Sequence, residues 1–314
     1  MPFLVFRTRL AGLTAVASAL LLVLCPDAAQ AWGPGVHMVT GNWLLQNLSL
    51  LPGAMALLLG AHSRHFVHGL LSPDIFIGKG CKAVQGHSHN WESGFSLLER
   101  ARQPRERAFA LGYLSHLAAD TVAHNLFVPG LLHTLPGAGK WAHVYLEIQA
   151  DRLIRWDSGP ALLAFKGRDS KESMRLLGRV MRQKTLPFWM KKSLYTGSMS
   201  LGGSAVWRQS MGLVDRLVTW RDRKKLLNSM LHLSTAAVID LLRHERGSAL
   251  LDADPIGEQA LANATQTDAG RAIGVLPMAW RFVTGSRRAS TPELRASTPA
   301  ALRSLDLRCR SEWL

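Results

Sequence analysis

Apolar residues recur every three or four positions from Val39 to about Arg182, which is the period of helices with one buried face. Alternating β-branched residues, which are typical of strands, are almost absent. Proline and glycine interrupt the period and mark the ends of helices. The pattern therefore predicts an all-α protein, a multi-helix bundle. The predicted helices cover residues 39–51, 53–70, 90–101, 105–127, 140–165, 170–182, 212–225 and 226–246, with a long loop over 71–86.

The first 31 residues have the pattern of an export signal. Arg7 and Arg9 precede an apolar run of about 15 residues, and Ala29-Gln30-Ala31 matches a small-residue cleavage site. The run is shorter than the roughly 20 residues of an ordinary membrane-spanning helix. We therefore expect export to the periplasm or the extracellular medium, with an uncleaved N-terminal anchor as the alternative.

Two regions are predicted after this signal peptide of residues 1–31. Residues 32–251 carry the helical period and form the main domain. Residues 252–314 form a C-terminal extension. From about residue 286 this extension has Arg-Arg, repeated Ser-Thr-Pro and little apolar period, which predicts a largely disordered tail.

Composition narrows the chemistry that the chain can support. The formal net charge of +15 indicates a polyanionic partner, either phospholipid headgroups, nucleic acid or an acidic surface. We predict no protein partner. After the signal peptide only Cys81 and Cys309 remain, and they lack the spacing of a zinc finger. Any metal site must therefore use histidine and carboxylate ligands.

Two predicted helices each carry such ligands at steps of four residues. Residues four apart on a helix lie on one face, and an antiparallel helix pair would point both faces into one interface. Unpaired ionisable groups in the apolar stretch around residue 116 would be costly, and a metal cluster would satisfy several of them together. The two sets are His116, Asp120 and His124 on the first helix, and His143, Glu147 and Asp151 on the second.

Further candidate ligands come from the N-terminus and from the predicted loop. Cleavage after Ala31 would free the α-amino group of Trp32, whose reference pKa of about 7.7–8.0 lets it bind metal as the neutral amine. That amine, its own carbonyl and His37 could hold one ion together. Asp74 and His89 would approach from the loop. Imidazole and carboxylate without thiolate suit zinc.

These residues resemble the zinc-dependent phospholipase C and S1–P1 nuclease superfamily, and the chain is closer to its bacterial phospholipase C branch. The resemblance covers Trp32 to about Ile154, half of the chain that remains after the signal peptide. The five-residue step from Trp32 to His37 is of the nuclease type, whereas Glu147 is of the phospholipase type. The matching motifs are Gly69-Leu-Leu-Ser-Pro-Asp74, His89, Gly112-Tyr-Leu-Ser-His116-Leu-Ala-Ala-Asp120 and His143-x-x-x-Glu147.

The resemblance implies three zinc ions between the helices, with Asp120 bridging two of them. It also implies that zinc-activated water attacks phosphorus, and that Asp74 orients or deprotonates this nucleophile. The implied ligands are Asp74, His89, His116 and Asp120 for the first ion, His124, His143 and Glu147 for the second, and Trp32, His37 and Asp120 for the third.

The sequence therefore predicts an exported zinc-dependent phosphodiesterase of the phospholipase C type, acting on phospholipid or a membrane surface. One alternative is a nuclease or 3′-nucleotidase with nucleic acid as substrate. Base stacking in such an enzyme requires aromatic residues near the site, and the candidates are Tyr113, Trp91 and Trp141. A second alternative is a noncatalytic exported protein that keeps zinc for structure alone.

Two other groups of residues are given structural rather than functional roles. Trp189, which stands between Phe188 and two lysines, is interpreted as a core aromatic beside a solvated basic turn rather than as a lipid anchor. His62, His65 and His68 recur every three residues, and they are interpreted as decorating a polar helix face rather than binding metal.

Overall fold

A computed structural model describes residues 32–76, 87–128, 140–181, 187–202 and 223–258. Within these ranges the chain forms ten α-helices and no strand, which confirms the all-α prediction. No helix in this part of the chain has the length and apolarity to cross a membrane. The helices are α1 (Pro34–Gln46), α2 (Gly53–Ala61), α3 (Ser63–Leu71), α4 (Trp91–Arg100), α5 (Pro104–Val122), α6 (Lys140–Leu153), α7 (Ser158–Ala164), α8 (Arg168–Val180), α9 (Phe188–Gly202) and α10 (Arg223–His244).

Helix α5 is the centre of the bundle. Helices α1, α3, α4 and α10 all pack against it, and every residue from Ala108 to Val122 is buried. Its start is stabilised by the Glu106 carboxylate, which accepts hydrogen bonds from the backbone amides of Arg102 (2.8 Å) and Gln103 (3.1 Å). Because residues 108–122 are enclosed on all sides, any ionisable residue among them must find its partners inside the protein.

Two glycines allow α3 and α5 to cross at very short range. A Cβ atom on Gly69 would overlap the carbonyl oxygen of Phe109, and one on Gly112 would overlap that of Phe66. The helix backbones are therefore in direct contact. This approach brings the carboxyl end of α3, and the turn that follows it, against the middle of α5.

The described helices differ from the prediction at several points, and the first runs over Pro34–Gln46 rather than 39–51. The predicted helix 53–70 is two helices, α2 and α3, with a break at His62 (φ −126°, ψ 34°), for which we have no physical account. The predicted helix 140–165 is also two, because Asp157 starts a new helix by accepting a hydrogen bond from the Gly159 amide (2.8 Å). Helix α9 was not predicted at all.

Several predictions lie outside the described residues. These are the signal peptide, most of the helix 212–225, part of the loop 71–86 and nearly all of the C-terminal extension. The proposed domain boundaries therefore stay predictions.

The interpretation of the histidines on α3 is wrong for His68. This side chain is buried, with its ring edge-on to Phe109 (5.1 Å between centroids) and Phe165 (4.8 Å). Burial, together with the positive charge of Lys192, lowers the pKa of His68 from 6.5 to about 3. His68 is therefore a neutral core residue.

We expect Gly112→Ala to destabilise the protein by about 3 kcal/mol or more, because the new methyl group meets backbone rather than a side chain that can move. Gly53→Ala is the matched control. Nothing lies within 4 Å of a Cβ there, so the change should be neutral or stabilising by up to about 1 kcal/mol. Urea unfolding measures both variants, and equal stabilities would contradict the close crossing.

We also expect stability to fall in acid because of His68. The unfolded chain takes up the proton first, so this contribution is complete above pH 6.5 and is lost as the pH falls toward 3. The slope approaches about 1.4 kcal/mol per pH unit. His68→Leu should flatten the dependence between pH 6.5 and 4.5 by about 2 kcal/mol. Unfolding of both proteins in the presence of a chelator tests this, and parallel pH profiles would contradict it.

Candidate metal centre

Four buried side chains from three separate segments converge beside the middle of α5. Asp74 lies on the 3₁₀ turn Pro73–Ile75, His89 in the turn before α4, and His116 and Asp120 on α5. One ligand atom from each lies within 4.8 Å of all the others, and all four residues are almost completely buried. The family resemblance implied that these four residues bind the first zinc ion.

Local hydrogen bonds hold the two turns in place. The Ser72 hydroxyl donates to the His68 carbonyl (2.6 Å) as α3 ends, and Pro73 then begins the tighter turn. On the other side, the Tyr113 hydroxyl donates to the Ser88 carbonyl (2.5 Å) and ties the His89 turn to α5. The His89 turn is therefore anchored within one helical turn of His116, and the Asp74 turn is fixed to the end of α3.

The distances in the cluster fit a tetrahedral zinc site. The Nε2 atoms of His89 and His116 lie 3.0 Å apart, and both lie close to one oxygen of Asp120 (3.0 and 3.1 Å). The same two atoms lie 3.3 and 3.5 Å from Asp74 Oδ1. A tetrahedron with bonds of about 2.0–2.1 Å has edges of about 3.3 Å. The donor set and its spacing therefore fit a zinc ion.

The tautomer of His116 is set by the backbone. Its Nδ1 lies 2.8 Å from the Leu70 carbonyl oxygen, which can only accept, so Nδ1 carries a proton. Nε2 is then the atom that faces the carboxylates. A ligand histidine oriented in this way by a carbonyl is common in metal proteins. The close crossing of α3 and α5 supplies this contact, because Leu70 follows Gly69.

His37 approaches the cluster from α1. Its Nε2 lies 3.2 Å from Asp120 Oδ1, and its ring stacks on that of His116 with centroids 3.9 Å apart. Asp120 therefore presents one oxygen to His89 and His116 and the other to His37. This is the arrangement expected of a carboxylate that bridges two ions.

Trp32 is held against the backbone of the residue before Asp120. Its indole Nε1 donates to the Ala119 carbonyl (3.1 Å) and to the Ser234 hydroxyl (3.0 Å), and its ring packs on Phe127. The residue is completely buried. The side chain thus anchors the chain next to Asp120, whereas coordination by a freed amine stays a prediction.

The charges of the centre match those that metal binding needs. Burial alone would raise the pKa of Asp120, but attraction and hydrogen bonds from His116 and His37 outweigh it and keep the pKa well below its ordinary value. Burial, and then repulsion from His116, lowers the pKa of His37. The carboxylate is therefore ionised and this imidazole neutral, which are the forms that bind a metal ion.

Asp151 has a structural partner at the start of α1. Its carboxylate accepts hydrogen bonds from the backbone amides of Gly35 (2.8 Å) and Val36 (2.9 Å). Gly33 passes so close that a Cβ there would overlap this carboxylate. Burial raises the pKa of Asp151 to about 7, against the effect of the two amides. Asp151 therefore positions the helix that carries His37.

The second predicted zinc site is only partly described. His124 lies in a π-helical turn, Ala123–Phe127, that continues α5, and Glu147 lies on α6. Both are buried, and neither belongs to the four-residue group. The side chain of His143 is outside the described residues, so this site stays a prediction. The wider π turn also changes the regular α-helical spacing that put His124 on the face of Asp120.

Sequence reasoning missed Tyr195 on α9. The residue is buried, and its hydroxyl makes no hydrogen bond to any described residue. Burial, with the charges of Asp74, Asp151 and Asp120, raises its pKa well above 10.0. The helix that carries it, 188–202, was not predicted. No spacing in the sequence links Tyr195 to the candidate ligands.

A family model described as zinc dependent phospholipase C matches residues 36–193, half of the 314-residue chain. The chain therefore belongs to the zinc-dependent phospholipase C family, as the sequence motifs predicted. The matched span contains all four residues of the buried cluster. No curated protein and no solved structure matches the chain.

We expect Asp120→Asn to lower the zinc content of the purified protein by at least one ion per chain, because the neutral amide cannot compensate the cation. The affinity should fall by more than about 100-fold, the upper range for loss of an outer-shell partner alone. Asp240→Asn is the control, since that carboxylate pairs with His244 away from the cluster. Elemental analysis gives the zinc count, and an unchanged count for Asp120→Asn would refute the site.

Proposed function

We propose that this protein is an exported zinc-dependent phosphodiesterase that hydrolyses phospholipid. Water is consumed, the bond between phosphorus and the glycerol oxygen breaks, and diacylglycerol and a phosphorylated headgroup leave. One observation carries the proposal: a buried pair of carboxylates and a pair of imidazoles stand at zinc-ligand spacing in a chain of the zinc-dependent phospholipase C family.

The residues of the centre would hold the metal and prepare the nucleophile. Bound zinc lowers the pKa of water toward about 7 and neutralises charge on the phosphoryl oxygens. Asp74, His89, His116 and Asp120 would hold one ion. We further propose that Asp74 orients the attacking water and receives its proton. His124, His143 and Glu147 would hold a second ion, and Trp32 and His37 a third together with Asp120.

The surroundings of the centre support this role. The ligands sit in an apolar interior, where the attraction between ions and carboxylates is stronger than in water. The net charge of +15 favours the approach of an anionic phosphodiester.

One of the aromatic residues named for a nuclease argues against base stacking at this site. Tyr113 is buried with its hydroxyl bound to Ser88, so its ring cannot stack on a base. The Trp91 indole donates to the Ala253 carbonyl (2.8 Å) and packs against the core. The side chain of Trp141 is outside the described residues. The Tyr113 ring is therefore excluded from base stacking, whereas Trp91 is only half-buried.

We expect the zinc-loaded protein to release diacylglycerol and phosphocholine from phosphatidylcholine, and to leave single-stranded DNA and RNA intact. Asp120→Asn should lower the rate by a factor of about 10³ or more, because the cation loses a ligand at the reacting centre. Lipid products are identified by mass spectrometry, with Asp240→Asn as the control.

Other product patterns would give a different function. Cleavage of nucleic acid without release of diacylglycerol would identify a nuclease. Activity on neither substrate by protein that contains zinc would support the noncatalytic alternative, in which the metal stabilises the fold.

A further inference from the structure

The structure contradicts the interpretation of Trp189, in the first turn of α9, as a core aromatic. The Trp189 side chain is 70% exposed and Met190 is 37% exposed, whereas Lys191 is only 4% exposed. The aromatic residue therefore faces solvent, and the adjacent lysine is the buried residue. Leu163, at the end of α7, is 54% exposed. We call Leu163, Trp189 and Met190 the apolar rim.

The start of α9 is fixed beside the turn that carries Asp74. Phe188 packs on Phe76, with ring centroids 6.0 Å apart, and Lys191 Nζ lies 5.8 Å from the centre of the same ring. Phe76 comes two residues after Asp74, and α9 packs against the Pro73–Ile75 turn. Trp189 and Met190 thus project into solvent from a segment that contacts the edge of the metal centre.

Helix α7 brings Leu163 to the same end of the bundle. The Lys192 ammonium donates to the Phe165 carbonyl (2.9 Å), and α7 packs against α9. Leu163 is two residues before Phe165, and Lys192 is three residues after Trp189. The ends of the two helices that carry the apolar rim are therefore joined directly.

Two exposed lysines follow α7, the helix that carries Leu163 of the apolar rim. Lys166 and Lys171 are exposed, and no acidic side chain in the described ranges lies within 4.0 Å of either. The acids of this segment, Asp169 and Glu172, are paired with Arg105 at 3.6 and 2.8 Å. Lys192 also lies 3.5 Å from the Ser170 hydroxyl, next to Lys171. An exposed tryptophan flanked by lysines suits the boundary between phosphate groups and acyl chains.

We propose that the apolar rim, with Lys166 and Lys171, docks the protein on the surface of a phospholipid bilayer that contains anionic lipid. Trp189, Met190 and Leu163 enter the headgroup region, and the lysines contact lipid phosphates. The role of this docking rests on the proposed function, because docking would turn the edge of the metal centre toward phospholipid. The docking itself is independent of catalysis and can be measured without it.

Vesicle binding tests the surface directly. We expect Trp189→Ala/Met190→Ala to weaken cosedimentation with phosphatidylcholine–phosphatidylglycerol vesicles by about tenfold or more, and Trp189→Phe to have a smaller effect. Leu57→Ala is the matched control, since Leu57 is 78% exposed on α2, which carries no residue of the apolar rim, and should bind like the wild type. Lys166→Gln/Lys171→Gln should weaken binding to these vesicles and hardly affect binding to vesicles of phosphatidylcholine alone.

Thermal unfolding of each variant shows whether the fold is intact. Equal vesicle binding by the wild type and the Trp189→Ala/Met190→Ala variant would overturn the proposal. A dimer that this variant converts to monomer, with vesicle binding unchanged, would also overturn it and would assign the rim to an interface between copies.

Activity separates a failure of docking from a failure of the proposed function. Hydrolysis of vesicle phosphatidylcholine, relative to that of water-soluble p-nitrophenyl phosphorylcholine, should fall about tenfold in the Trp189→Ala/Met190→Ala variant. A wild type that hydrolyses neither substrate, while the variant still loses vesicle binding, would support docking and refute the proposed function. Retention of both activities and of vesicle binding by the variant would refute docking and leave the proposed function standing.

Discussion

The buried negative charge of Asp120 is the constraint around which the centre of this protein is arranged. A carboxylate enclosed by apolar residues is costly unless positive charge or donors surround it. Here His37, His89 and His116 all approach its two oxygens at 3.0 to 3.2 Å. Asp74 brings a second carboxylate into the same space. Cations compensate the charge of these two buried acids best, and the three imidazoles offer further ligand atoms. The cluster therefore suits metal ions.

The helical framework places these groups by main-chain contact as much as by side-chain packing. Gly69 and Gly112 let α3 touch α5, and this contact brings the Leu70 carbonyl to His116 and the Asp74 turn to the same level. At the other side, Asp151 holds the first amides of α1, the helix that carries His37. The site therefore depends on helix positions that are set outside the ligand shell.

The apolar rim connects the buried chemistry to the surface. Phe76 follows Asp74 and packs on Phe188, the residue before the exposed Trp189. A single run of contacts thus leads from a proposed metal ligand to the side chain proposed to enter the bilayer. Under the proposed function, docking through the rim would bring lipid phosphate toward the metal centre.

The sequence by itself determined the fold class and the identity of the main candidate ligands. The helical period is a local property, and His116 and Asp120 share one helix face because four residues make about one turn. The resemblance of the motifs then added Asp74 and His89, which lie far away in sequence.

Only the tertiary structure decided which groups meet and which side chains face water. The capping of α1 by Asp151, the burial of His68 and the exposure of Trp189 all depend on contacts between residues distant in sequence. A periodicity can show that a helix has two faces, but not which neighbour covers them. The break at Asp157 has a local cause instead, because its carboxylate caps a new helix at a place where the apolar period continues.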